Sequence, residues 1–244
     1  MTEQGYPPRQ PHHPGRSGPG RPASRSRTPQ EPRRTGWQVI DAFDEGPDPD
    51  SDLSRRRRSV QRQIAQWLDD RNDDRLRVVS ACAGDGRDLL EVLAARPDRA
   101  RVTATLLALD EGLARAAAEF AAAHDLVVDL RRGDAGTTDS YAGAVPADLV
   151  QMCGVFGNVT DDDLRATIAA LPQLCTPGAT VIWTRGRFAT GDLTGEIREW
   201  FGDEGFEEVA FDAPRDAKYR VGTHRLVAAP RPLAPGQTFF RFIR

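Results

Sequence analysis

The chain has 244 residues, 39% of them hydrophobic, which is enough for one well-buried domain and a short appendage but not for two full domains. A formal net charge of −3 at pH 7 excludes a chain-wide field that would draw it to nucleic acid or an acidic membrane, so any polyanion partner needs a local patch. Cys82, Cys153 and Cys175 form no CxxC pair, no apolar run reaches the roughly 18 residues of a membrane span, and no signal sequence is visible. The expectation is a cytoplasmic protein, neither exported nor embedded.

Residues 1–36 are rich in Pro, Gly, Arg, Ser and Gln and almost free of aliphatic side chains, which predicts a disordered tail. Its seven arginines up to residue 40 outnumber Glu3 and Glu31, but a solvated tail is favoured over a nucleic-acid or lipid contact. Residues 37–72 form a lead-in. Trp37 to Phe43 read as an apolar flap or lid, and after a proline-containing turn Leu53, Val60, Ile64, Trp67 and Leu68 recur at helical spacing. A helix over about 52–70 follows, capped by Asp50 or Ser51. Its arginine run, residues 55–58, points around all sides of a helix and reads as solvated surface.

From residue 73 onward short β-rich runs alternate with helical segments, the pattern of βαβ crossovers in a mainly parallel sheet. Strands are predicted at 76–81, 102–109, 126–130, 148–153 and 179–185. Helices fall at 87–95, 111–124, weakly at 137–143, and at 160–171, where Thr160 is placed to cap and Asp161, Asp162 and Asp163 suit the positive end of the helix dipole. A helix near 191–203 and strands near 207–212 and 237–243 complete the set.

Three loops carry chemistry. In VVSACAGDGRDLL, residues 78–90, a buried strand runs through a small-residue loop into a helix. Gly84 and Gly86 allow close backbone approach, and the helix N-terminus behind them favours an anion. Leu89 stands where a GxGxxG fingerprint needs its third glycine, which weakens a dinucleotide oxidoreductase, and no P-loop motif occurs. Asp110 ends the second strand about two dozen residues on, placed to accept from both hydroxyls of a ribose; Gly133 and Asp134 follow the third strand, where an adenine ring would lie. Any one acid after a strand is more often a turn or cap, but three cues in register on successive strands are harder to dismiss.

In these residues the segment 76–185 resembles the class I S-adenosylmethionine-dependent methyltransferases. That resemblance implies a Rossmann-like, doubly wound α/β fold with a mainly parallel seven-stranded sheet ordered 3-2-1-4-5-7-6, spanning residues 73–244. It further implies S-adenosyl-L-methionine as cofactor. Cys82, Ala83, Gly84 and Gly86, with Ser80 before them, would hold its methionine part; Asp110 and Glu111 its ribose; Asp134 and Ala135 its adenine; and Cys153 and Gly154 would flank the methyl group. Ser80 and Cys82 depart from the acid and the first glycine usual in the family, and strand four lacks the Pro-Pro-aromatic tetrapeptide of enzymes that methylate amino groups of DNA bases and glutamine.

The resulting expectation is methyl transfer to a small-molecule or protein acceptor, with no membrane partner and no nucleic acid. A catalytically inert module of the same fold is the alternative. Alignment and water exclusion can supply most of the catalysis, so no catalytic residue is named. Asn158 and Phe156 are candidates to orient a substrate, and His224 reads as structural. No residue type identifies the acceptor or the atom methylated.

Overall fold

The computed structural model describes Met1, residues 48–186 and residues 192–243; the tail over 2–36 and the flap over 37–43 lie outside the described residues. In chain order the elements are α1 (Asp52–Asp69), β1 (Leu76–Ser80), α2 (Arg87–Ala94), β2 (Val102–Ala108), α3 (Glu111–Ala123), β3 (Val128–Arg132), β4 (Ala147–Met152), α4 (Asp161–Ala170), β5 (Cys175–Gly186), α5 (Thr194–Asp203), β6 (Phe206–Asp212) and β7 (Tyr219–Leu226).

The seven strands make one sheet in the order β3-β2-β1-β4-β5-β7-β6. All pairings are parallel except those of β7 with β5 and β6, which are antiparallel. Parallel strands need both faces covered. On one face α1, α2 and α3 bury Val60, Ile64, Leu68, Leu89, Leu90 and Leu93 against Val78, Leu106, Leu149 and Ile182. On the other, Leu164, Ile168, Ile197 and Phe201 close over Val79, Val150, Val181 and Trp183. Each such side chain contributes about 1.5–3 kcal/mol by leaving water. Among the described residues no helix is long and apolar enough to cross a membrane.

Local signals explain most boundaries. Ser51 caps α1, its hydroxyl accepting from the backbone N–H of Ser54 at 3.2 Å, and Thr160 caps α4 by accepting from Asp163 at 3.1 Å. β3 begins two residues later than its apolar run because the run's start closes the preceding helix. Asp125 adopts φ +52, and the Leu126 N–H reaches back to the Ala121 carbonyl at 3.0 Å. The weak helix expected near 137–143 is a single 3-10 turn over Thr138–Tyr141.

The last strand is the main correction. Residues 237–243 form no strand beyond one isolated bridge between Thr137 and Thr238, because the backbone N–H groups of Phe239 and Ile243 go to loop carbonyls and not to a neighbouring strand. The segment instead straps across the ends of the sheet, with Phe239 N–H on the Gly136 carbonyl at 2.7 Å and Ile243 N–H on the Asn158 carbonyl at 2.9 Å. The seventh strand is Tyr219–Leu226, unread in the sequence because Arg220, Thr223 and His224 give it a polar texture. All three are buried, and Thr223 and His224 find partners far away in the chain while Arg220 is held by nearby carbonyls. Thr223 donates to Gln63 Oε1, Arg220 donates to the Ala217 and Tyr219 carbonyls, and His224 Nδ1 accepts from Trp183 Nε1 at 3.1 Å. Gly222 lets the strand lie against Trp183, whose indole would overlap any Cβ there.

Candidate functional site

At the carboxyl ends of the parallel strands a cleft of about 450 Å³ opens where the order reverses between β1 and β4, the position where open α/β sheets bind ligands. Its floor is the loop after β1. That loop turns by three consecutive departures from right-handed geometry, at Cys82 (φ +57), Gly84 (φ +58) and Gly86 (φ +70). The Ala83 N–H ties it to the Leu107 carbonyl at 2.8 Å, and Gly86 then starts α2.

The two glycines do different work. A Cβ on Gly86 would stand 2.5 Å from Leu106 Cδ2 and 2.9 Å from Leu90 Cδ1, so this glycine lets α2 press onto the sheet. At Gly84 the nearest atom, Leu113 Cδ1, is 3.9 Å away. Close approach to a ligand is thus a role left to Gly84 alone.

Of the residues singled out in the sequence, Ser80, Cys82, Ala83, Gly84, Gly86, Asp110, Asp134, Ala135, Cys153 and Gly154 all line this one cleft. Glu111 does not: it is exposed and sits 3.7 Å from Arg132, because as the first residue of α3 it points away from the cleft that Asp110 faces. Asn158 lines the cleft and braces its wall by donating from Nδ2 to the Gly154 carbonyl at 2.7 Å. Phe156 is fully buried in the aromatic cluster with Trp183 and Phe201, so orienting a substrate is closed to its side chain.

Both carboxylates also hold their own loops. Asp110 Oδ1 caps α3, and Asp134 Oδ1 accepts from the Gly136 N–H at 2.8 Å. Behind Asp134 the Tyr141 hydroxyl donates to the Ala135 carbonyl at 2.7 Å. The strap passes so close that a Cβ on Gly136 would overlap the Phe240 carbonyl oxygen.

Burial, aided by the charge of Asp134, pushes the Cys82 thiol up to about 12; burial, aided by Asp88, raises Cys153 further. Both therefore stay neutral thiols at pH 7 and act as soft apolar walls, not nucleophiles. Asp88 is raised as well, first by burial and then by Asp85 and Glu91, while Arg56 and Arg57 pull the other way.

Several cleft residues were not legible. Arg56 and Arg57 of α1 line it, whereas Arg55 pairs with Asp216 at 3.0 Å and only Arg58 is exposed, so the arginine run is not solvated as a block. Asp88 lies in the first turn of α2, where an acid reads as a complement to the helix dipole. Thr184 and Arg185 extend the wall beyond β4. Thr184 Oγ1 accepts from the Gly154 N–H at 3.1 Å, and Arg185 donates to the Phe156 carbonyl at 2.5 Å. Lys218 and Tyr219 border the cleft from the start of β7, and Phe242 from the strap.

Compared by sequence, the chain matches no family model and no curated protein. Compared by structure it is similar to magnesium protoporphyrin IX methyltransferase from Synechocystis PCC 6803 with bound S-adenosylmethionine, at TM-score 0.58 and 18% identity, over 78% of this chain and 89% of that one. The fold is that of the class I S-adenosylmethionine-dependent methyltransferases. A second similar structure is the Burkholderia thailandensis 1,6-didemethyltoxoflavin-N1-methyltransferase with bound S-adenosylhomocysteine, at TM-score 0.55 and 16% identity, over 79% and 87%. A third is the cyclase SpnF, at 0.53 and 13%, over 83% and 99%. The fold thus hosts more than one chemistry, and the residues of the cleft have to carry the functional argument.

Proposed function

We propose that this protein is a cytoplasmic S-adenosylmethionine-dependent methyltransferase acting on a small-molecule or protein acceptor. The observation that carries the reading is convergence. The glycine loop, Asp110 and Asp134 come from three separate strand ends, yet all border one cleft of about 450 Å³, within the usual range for a small-molecule site. Asp110 commits one oxygen to the α3 cap, which leaves Oδ2 for ribose hydroxyls. Asp134 and Ala135 stand on the adenine side, the Cys82 to Gly86 turn under the methionine part, and Cys153 and Gly154 beside the methyl group. The three cysteines are free thiols, which fits a reducing compartment.

Held by these residues, the cofactor would supply an electrophilic methyl on sulfur for a lone pair of the acceptor. The chain's share is alignment and exclusion of water. Gly154 and Asn158 keep the β4 loop closed on itself, and the neutral Cys82 and Cys153 side chains offer no competing nucleophile. Thr184, Tyr219 and Phe242 bring polar and apolar groups to the wall of the same cleft.

Calorimetry on the full chain tests the reading. S-adenosylmethionine and S-adenosylhomocysteine should bind and NADH should not, and a screen of acceptors with labelled methyl donor should then find incorporation. A chain that binds neither adenosyl compound is not a methyltransferase.

A further inference from the structure

Ser80 ends β1 without a charge, and the one acid of the glycine loop, Asp85, is already paired with Arg87 at 2.7 Å. Two charged side chains stand beside it. Arg56 projects from the first turns of α1, Asp88 from the first turn of α2, two residues past Gly86, and both line the cleft.

The polar seam between these helices is otherwise satisfied. Arg55 pairs with Asp216, Arg87 with Asp85 at 2.7 Å, and Gln61 donates to Glu91 at 2.7 Å. Arg56, Arg57 and Asp88 are the exceptions, and Arg56 is the arginine whose charge acts more strongly on Asp88. None of the three makes an ion pair or side-chain hydrogen bond among the described residues, and Arg56 Nε is buried with no partner. A buried guanidinium N–H without a partner is unfavourable, Asp88 beside it accepts no hydrogen bond, and the group that would satisfy the two together carries one negative and one positive charge. The N-terminus of α2 adds a further preference for an anion at this end of the cleft.

We propose that Arg56 and Asp88 receive an α-amino-acid zwitterion, the amino-acid end of S-adenosylmethionine, with the guanidinium on its carboxylate and Asp88 on its ammonium. Together they replace the acid that Ser80 does not supply. This inference rests on the methyltransferase reading and gives its cofactor site a selectivity that the adenosine contacts alone would lack.

The test compares S-adenosylhomocysteine with 5′-deoxy-5′-methylthioadenosine, which keeps the adenosine and sulfur but has no amino acid. Titration calorimetry on the full chain should show both binding the wild type. Arg56→Gln and Asp88→Asn should each weaken S-adenosylhomocysteine at least tenfold, about 1.4 kcal/mol, and leave methylthioadenosine within twofold. The second ligand also reports whether each variant is folded. Parallel weakening of both ligands, or unchanged affinity for S-adenosylhomocysteine, overturns the pairing while the methyltransferase reading stands. A wild-type chain that binds neither ligand removes both.

Discussion

Asp110 Oδ1 accepts the backbone N–H of Leu113 at 2.8 Å, so the carboxylate proposed to hold the ribose is also the N-cap of α3. The cap gives Asp110 a share in stability as well. Asp110→Ala should cost about 1 kcal/mol of stability and weaken S-adenosylhomocysteine at least tenfold. Asp110→Asn keeps an acceptor for the cap and loses the charge. It should therefore melt like the wild type and still bind more weakly, and an Asn variant with wild-type affinity in calorimetry would take Asp110 out of the cofactor site.

The glycine loop gives a second contrast. Gly86→Ala sets a Cβ against Leu106 and Leu90 at φ +70, and strain plus overpacking should cost about 2 kcal/mol or more. Gly84→Ala carries the strain of φ +58 without the overlap and should cost about 1 kcal/mol. Urea unfolding of the two variants measures the difference, and equal losses would mean that α2 shifts freely on the sheet.

The thiols should be unreactive. With burial holding Cys82 and Cys175 near 12 and Cys153 higher still, almost no thiolate exists at pH 8 in the folded chain. Titration with a chromogenic disulfide at that pH should show slow labelling compared with the urea-unfolded protein. Cys82, the one cysteine of the three that is not buried by its accessible surface, should lead and be protected by S-adenosylhomocysteine. Rapid labelling of all three would contradict the packing.

His224 sets an acid limit on stability. Its ring stacks on Phe201 at 4.2 Å, Nδ1 accepts from Trp183, and Nε2 is buried without a hydrogen-bond partner, so the neutral ring is held and its pKa falls from 6.5 to about 4. Burial is the main cause, opposed by Glu208 at 3.8 Å. A depressed histidine contributes its full stability above pH 6.5 and loses it as pH drops toward 4, by on the order of 3 kcal/mol. Melting temperatures between pH 7 and 4 should fall more steeply for the wild type than for His224→Gln. Parallel curves would mean that the buried ring does not set this dependence.

The sequence by itself determined what is local or periodic. Alternating β-rich and helical runs placed β1, β2, β4 and α1 to α4 to within a residue or two, because hydrophobic period and cap residues act over a few positions. It also located the loops that follow the first four strands, and the doubly wound topology brings those loops to one cleft. That is why Ser80, Asp110, Asp134 and Cys153 could be named beforehand. What only the tertiary structure decided is whether a polar side chain faces protein or water. Of the buried polar groups of β7, Thr223 finds Gln63 and His224 finds Trp183, and the arginines of α1 divide between Asp216, the cleft and solvent. A charge next to its own neighbours in sequence looks solvated. Its partners come from elements tens of residues away, and their positions are set by the burial of apolar faces on the whole sheet.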